Sequence, residues 1–140
     1  MNRPMSKPTP ELLRNVRLFS SLDEKDLESL AEEFNERRFS AGDKIALEGE
    51  GGLMFFVVET GEASVEVQGE EVATIGPGAA FGEIALIDRR PRTATVTARS
   101  DIKAYGLPVF VFRPFVESRP DVAWKLLEAM ADRLVTAESR

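Results

Sequence analysis

From Glu62 to Gln68 every second side chain is apolar. Ala63, Val65 and Val67 fall on one face, and Glu62, Ser64, Glu66 and Gln68 on the other. A period of two belongs to a half-buried strand. Thr93 to Arg99 repeats it, with Ala94, Val96 and Ala98 turned inward. Leu53 to Val58 is a continuous apolar run, as in a well-buried strand. Turn chemistry separates the runs at Ala41-Gly42-Asp43, Gly49 to Gly52, Gln68-Gly69 and Gly76-Pro77-Gly78. Several short strands at close spacing over residues 36–107 predict a barrel or a sandwich-like roll.

Helical patterns flank this stretch. Leu12, Leu13 and Val16 mark a short first helix within a helical segment over residues 11–35. Ser21-Leu22-Asp23-Glu24 reads as a capping box, with Ser21 as the cap and Glu24 reaching back to it. Leu27, Leu30, Ala31 and Phe34 follow at one-face helical spacing. Over residues 108–138, Pro108 and Pro120 can each open a helix. Val122, Leu126 and Met130 lie along one row of the second, widened by Ala123, Leu127 and Leu134. Trp124, Ala131 and Val135 fall on another row. The chain has 140 residues, which is one domain, and residues 1–10 read as a loose leader.

Composition excludes several chemistries. There is no cysteine and no histidine, so disulfides, thiol nucleophiles, Ser-His triads and His or Cys zinc sites are absent. The net charge is −6, and no basic face for duplex nucleic acid is expected. No apolar run approaches the ~20 residues of a membrane span. The lack of cysteine fits a reducing compartment, and a cytoplasmic protein is expected.

Residues 81–96 break the strand pattern. Gly82 permits close backbone approach. Glu83 to Ile87 can form a short helical turn whose free amides suit an anion. Alternation places Arg92 on the inward face, where a guanidinium needs a carboxylate or a phosphate. Spacing alone leaves two readings open: a structural Glu83–Arg92 ion pair, or a ligand site. Arg89-Arg90 reads as a solvated loop edge.

Phe81-Gly82-Glu83-Ile84-Ala85-Leu86, followed by Pro91-Arg92-Thr93-Ala94-Thr95-Val96, resembles the phosphate-binding cassette of the cyclic-nucleotide-binding domain family. The resemblance covers about residues 11–138. It implies an α+β fold: an eight-stranded antiparallel β-roll (a double-stranded β-helix) with N-terminal helices and two C-terminal helices. It implies a ligand, 3′,5′-cAMP or cGMP, and no cofactor. By position, Arg92 would bind the phosphate oxygens and Glu83 the ribose 2′-hydroxyl. Amides of Gly82, Ile84, Ala85 and Ala94 would hold phosphate and sugar. Thr93 would donate to the phosphate, or meet a syn guanine. Val65, Val72 and Ile75 are candidates for the apolar wall under the purine, although such residues are more often plain core. A site built around a hydroxyl rejects ligands lacking it, so Glu83 would select ribonucleotides.

The resemblance also implies a switch. The last helix would swing over the base, bringing Arg133, Thr136 and Ala137 closest to the purine. Arg133 could instead favour the helix C-terminal dipole. The chain reaches Arg140 about where that helix should end, so a DNA-binding module is not expected. A cupin-type enzyme would need histidines. A degenerate relative acting only as a protein-interaction module is countered by the intact Glu83 and Arg92. The expectation is a stand-alone, non-catalytic sensor. Its partners are a cyclic purine nucleotide and an unidentified effector protein, with neither nucleic acid nor membrane. Leu126, Met130 and Leu134 would cover the roll, leaving Trp124, Ala131 and Val135 either to pack on the roll too or to form an interface, with the chain a monomer or a weak homodimer.

Overall fold

Thr9 opens the first helix: its side chain accepts a hydrogen bond from the Leu12 amide, and Pro10 supplies a preset φ. The computed structural model describes residues 6–46, 49, 54–82, 86 and 94–138. Along the chain, α1 (Pro10–Arg14), a 3-10 turn (Arg17–Phe19) and α2 (Glu24–Ala31) precede the strands. These are β1 (Asn35–Phe39), β2 (Lys44–Ala46), β3 (Met54–Thr60), β4 (Ala63–Val67), β5 (Glu70–Ile75), β6 (Ala80–Phe81), β7 (Thr95–Ala98) and β8 (Ile102–Pro108). Then come α3 (Val109–Glu117) and α4 (Pro120–Glu138). Two four-stranded sheets form, in the orders β1-β8-β3-β6 and β2-β7-β4-β5, and every pair is antiparallel. This is the eight-stranded roll with flanking helices that the sequence predicts.

The apolar run of β3 has a direct cause. Phe56 and Val58 join the core between the sheets, with Ala63, Ile75, Val96, Ala98 and Ile102. Phe55 and Val57 join a second core with Leu13, Phe19, Leu27, Phe34, Phe112 and Leu126 of the helical layer. A strand buried on both faces has no polar side to alternate with. Aromatic rings fill each core. Phe55 meets Phe19 and Phe34 edge-on at 5.7 and 6.1 Å, while Phe56 lies between Phe39 and Phe81 at 5.7 and 5.2 Å. Gly61, at φ +96°, makes the turn into β4, and a Cβ there would strike the Asp101 carbonyl.

Several expectations are corrected. The capping box of α2 is built from Asp23 and Asp26, not Ser21 and Glu24. Asp23 accepts from the Asp26 amide at 2.8 Å, and Asp26 accepts from the Asp23 amide at 3.3 Å. Leu22 and Leu27, the N′ and N4 positions of this start, are both buried, and such a pair sets where the chain enters a helix. Ser64 is buried although alternation turns it outward, because it lies in register between Thr74 and Thr97 of the two neighbouring strands. Ser6 to Thr9 are tied down rather than loose. The Ser6 hydroxyl donates to Glu36 Oε1 at 2.6 Å, and Lys7 Nζ donates to the Phe34 and Glu32 carbonyls at 2.8 and 3.0 Å.

Helix α4 differs most from expectation. Val122, Leu126 and Ala129 are buried and Met130 is half-buried, but Leu134 is 63% exposed. The helix packs on the Arg17–Phe19 turn and on α3, not along the strands. Its second half therefore lies beyond the surface that buries the first. Trp124, Leu127 and Val135 are exposed, at 66, 59 and 62%.

Candidate functional site

Strand β6 ends at Phe81 on the edge of the first sheet, hydrogen-bonded to β3. Strand β7 begins at Thr95 inside the second sheet, between β2 and β4. The stretch from Gly82 to Ala94 therefore joins the edge of the first sheet to the second. At its start Gly82 takes φ +86°, a left-handed conformation that turns the chain out of β6 and that glycine adopts without strain. At its end Ala94 is half-buried. Glu83, Ile84, Ala85, Arg92 and Thr93 lie outside the described residues, as do Arg89 and Arg90.

The three apolar-wall candidates separate in space. Val65 is half-buried and stands opposite Val96, two residues from Ala94, so it shares the inner face close to the start of β7. Ile75 pairs with Ala63, which pairs with Ala98, and it is packed within the inter-sheet core further along the sheet. Val72 is 60% exposed. The register shifts between Val65 and Glu66, so Val65 opposes Ala73, Glu66 opposes Glu71, and Val72 is the extra residue of a bulge.

Leu86, between Gly82 and Ala94 in the sequence, is buried in the helical-layer core. It lines a groove of about 390 Å³ with Phe112 and Val116 of α3 and with Leu126, Leu127 and Met130 of α4. Leu86 thus stands beside both C-terminal helices. In the distal part of α4, Arg133 is half-buried, while Thr136 and Ala137 are exposed. The Thr136 hydroxyl donates to the Asp132 carbonyl at 2.9 Å, back along its own helix.

Two charged constellations escaped the sequence reading. On the outer face of the first sheet, buried Glu36 accepts from the amide and hydroxyl of Ser6 and from Arg38 Nε at 3.2, 2.6 and 3.0 Å. These contacts, the Ser6 hydroxyl first, hold its carboxyl down at about 2. Lys103 Nζ stands 3.1 Å from Glu59 and 3.7 Å from Glu36. The hydrogen bond from Tyr105, ahead of Lys103, holds Glu59 below its usual value, and Glu59 in turn raises Lys103. The second constellation joins α4 to α2. Lys125 Nζ lies 2.8 Å from Asp26 and 3.5 Å from Asp23, the two members of the capping box. The bond to Asp26 raises the Lys125 ammonium, and the Asp26 amide holds Asp23 low. Lys125 and Asp26 are 99 residues apart, a pairing no local pattern records. Leu86 had a weak local signal, as part of the apolar Ile84-Ala85-Leu86-Ile87 run.

Among the described residues, no group of three His, Cys, Asp or Glu side chains is placed to hold a metal ion. No helix there is long and apolar enough to cross a membrane.

Comparison with known proteins adds a family. A cAMP-dependent protein kinase regulatory subunit from Yarrowia lipolytica is 36% identical over 96 residues. The match covers 69% of this chain and 26% of that protein, so the chain spans about a quarter of its relative's length. The N-terminal domain of a transcriptional regulator from Streptomyces coelicolor A3(2) superposes with a TM-score of 0.85 at 34% identity, covering 91% of this chain and 95% of that one. The regulatory domain of Toxoplasma gondii PKA, crystallised with cAMP, superposes with a TM-score of 0.70 at 37% identity, over 76% of this chain and 42% of that one. The profile of the cyclic nucleotide-binding domain matches residues 36–119, most of the roll and more than half of the sequence, and the chain belongs to that family.

Proposed function

We propose that this chain binds a 3′,5′-cyclic purine nucleotide without hydrolysing it, and signals by repositioning α4 toward an effector protein. The observation that carries the reading is the cassette of residues 81–96, whose two described ends stand on different sheets and frame the gap between them. A cyclic phosphate has one negative charge, which one arginine and a set of amides can match. Arg92 is the residue for the phosphate and Glu83 for the ribose 2′-hydroxyl. Gly82, Ile84, Ala85, Thr93 and Ala94 line the phosphate and sugar, and Val65 lies under the base. Cyclic AMP is the preferred ligand, supported by the cAMP-dependent Yarrowia relative and by the cAMP held by the Toxoplasma domain. Leu86 is the route outward, since any shift of the cassette moves a side chain packed against α3 and α4. The exposed row of α4, Trp124, Leu127, Leu134 and Val135, is where an effector or a weak homodimer contact would form.

Calorimetric titration with cAMP and cGMP tests the reading, with chromatography of the recovered nucleotide to check that it is unchanged. Arg92→Ala should weaken binding by about 2–5 kcal/mol, the range for removing one partner of a buried charged contact. Glu83→Ala should cost less, and its cost should shrink with a 2′-deoxy ligand. Wild-type affinity in Arg92→Ala would overturn the assignment.

A further inference from the structure

Four exposed apolar side chains of α4 follow a strict repeat. Trp124, Leu127, Ala131 and Leu134 recur at intervals of three and four, the a and d positions of a heptad pattern. The core takes Val122, Leu126 and Ala129 from the other side of the helix. This exposed seam has unlike flanks. On one side Ala123 and Met130 lead into the apolar groove of about 390 Å³ that Phe112 and Val116 of α3 also line. On the other side stand Asp121 and Glu128, both exposed. Lys125 lies near them, but its ammonium is 2.8 Å from Asp26 of α2 and 3.5 Å from Asp23. Among the described residues, neither Asp121 nor Glu128 has a cationic partner.

Charge on these flanks decides what the seam fits. With Trp124 and Ala131 at a, Asp121 and Glu128 fall at e, and Ala123 and Met130 at g. In a parallel pair of helices, the e position of one faces the g position of the other. In a second copy Glu128 would therefore stand against Ala123, with no partner for its charge. In an antiparallel pair the two acidic flanks would face and repel each other. A helix with an apolar seam and Lys or Arg beside it matches both the row and the carboxylates. We propose that this face of α4 docks a basic amphipathic helix of a partner protein. The seam of that helix lies on Trp124, Leu127, Ala131 and Leu134, and its cations meet Asp121 and Glu128. Such a partner is the effector of the signalling role proposed above, so its role rests on that reading, although the docking chemistry itself needs no nucleotide.

Two synthetic helices of about three heptads test this, both with Leu at a and d and neither with tryptophan. One carries Lys at e and g, the other Glu. Trp124 is the only tryptophan of the chain, so its emission reports docking on this face. In low salt the Lys peptide should shift that emission to the blue and bind at least about tenfold more tightly than the Glu peptide. Glu128→Lys should reverse the preference. Leu134→Ala, at an exposed site that leaves the fold intact, should weaken the Lys peptide by about threefold or more. Failure of the Lys peptide to bind overturns the docking surface. So does binding that both substitutions leave unchanged, which is contact elsewhere on an acidic protein. Sedimentation without peptide examines the rival occupant: a dimer that Leu134→Ala dissolves gives the face to a second copy and also overturns it. The titrations are run without nucleotide, beside a separate titration with cAMP. A chain that docks the Lys peptide but binds no cyclic nucleotide keeps the surface and loses the signalling role. A chain that binds cAMP but not the Lys peptide loses the surface alone.

Discussion

Glu36 keeps its charge inside the protein because donors from a different part of the chain converge on it. The Ser6 hydroxyl and amide, with Arg38, lower its carboxyl from 4.5 to about 2. A carboxylate depressed on folding adds stability that is complete above its unfolded value and is lost as pH falls toward its folded value. The window here runs from 4.5 down to about 2. In a plot of melting temperature against pH, Glu36→Gln should flatten the acid limb across that window. Ser6→Ala removes the first of the donors, so it should raise the lower edge of the window. An acid limb unchanged by both substitutions would show that other carboxylates carry the acid sensitivity. Gly82 and Val72 carry a different lesson at this scale. Gly82 takes a φ of +86°, which glycine adopts without strain and a close-approach argument from sequence does not specify. The bulge that expels Val72 depends on how β4 and β5 align, and alternation within β5 does not report it.

At the scale of elements, α4 shows what a helical pattern leaves undecided. Its apolar residues exceed one stripe, and Leu126, Met130 and Leu134 all fall on one side by spacing. Burial stops after the first half, because the Arg17–Phe19 turn and α3 give the helix a short platform. Leu126→Ala should therefore destabilise by about 2–5 kcal/mol, as a buried leucine truncation does. Leu134→Ala should stay within about 0.5 kcal/mol, as an exposed site does. Denaturant midpoints at constant slope measure both. Equal costs would mean that α4 packs along its whole length. Strand β3 is the opposite case. Its unbroken apolar run has one outcome in a two-layer fold, and the structure places it between the two cores.

For the whole molecule, Leu86 is buried with residues of both C-terminal helices in the core of the helical layer. A ligand that binds only the folded state stabilises it by mass action, by about 2.7 kcal/mol at a hundred times its dissociation constant. For a chain of this size, cAMP at that level should raise the melting temperature by roughly 5–10 °C. Arg92→Ala at the same concentration should show almost none of this rise. Scanning calorimetry makes the comparison, and an equal rise in both proteins would place the nucleotide elsewhere than the cassette.

The sequence by itself determined the strand region, its flanking helices and the turns at Gly42, Gly69 and Gly78, and it carries the cassette as a motif. Each is written in a short window: alternation needs about five residues, a turn needs a glycine at one position, and the cassette is a contiguous motif. Tertiary structure alone decided the ends of those patterns and their partners. Ser6 reaches Glu36 across 30 residues, and Lys125 reaches Asp26 across 99. Neither pairing follows from spacing, because each depends on which surfaces the elements bury first. The same holds for Leu134, left exposed where the platform under α4 ends. Local periodicity specifies what an element is, whereas the packing of distant elements specifies which of its faces meets another and which faces water.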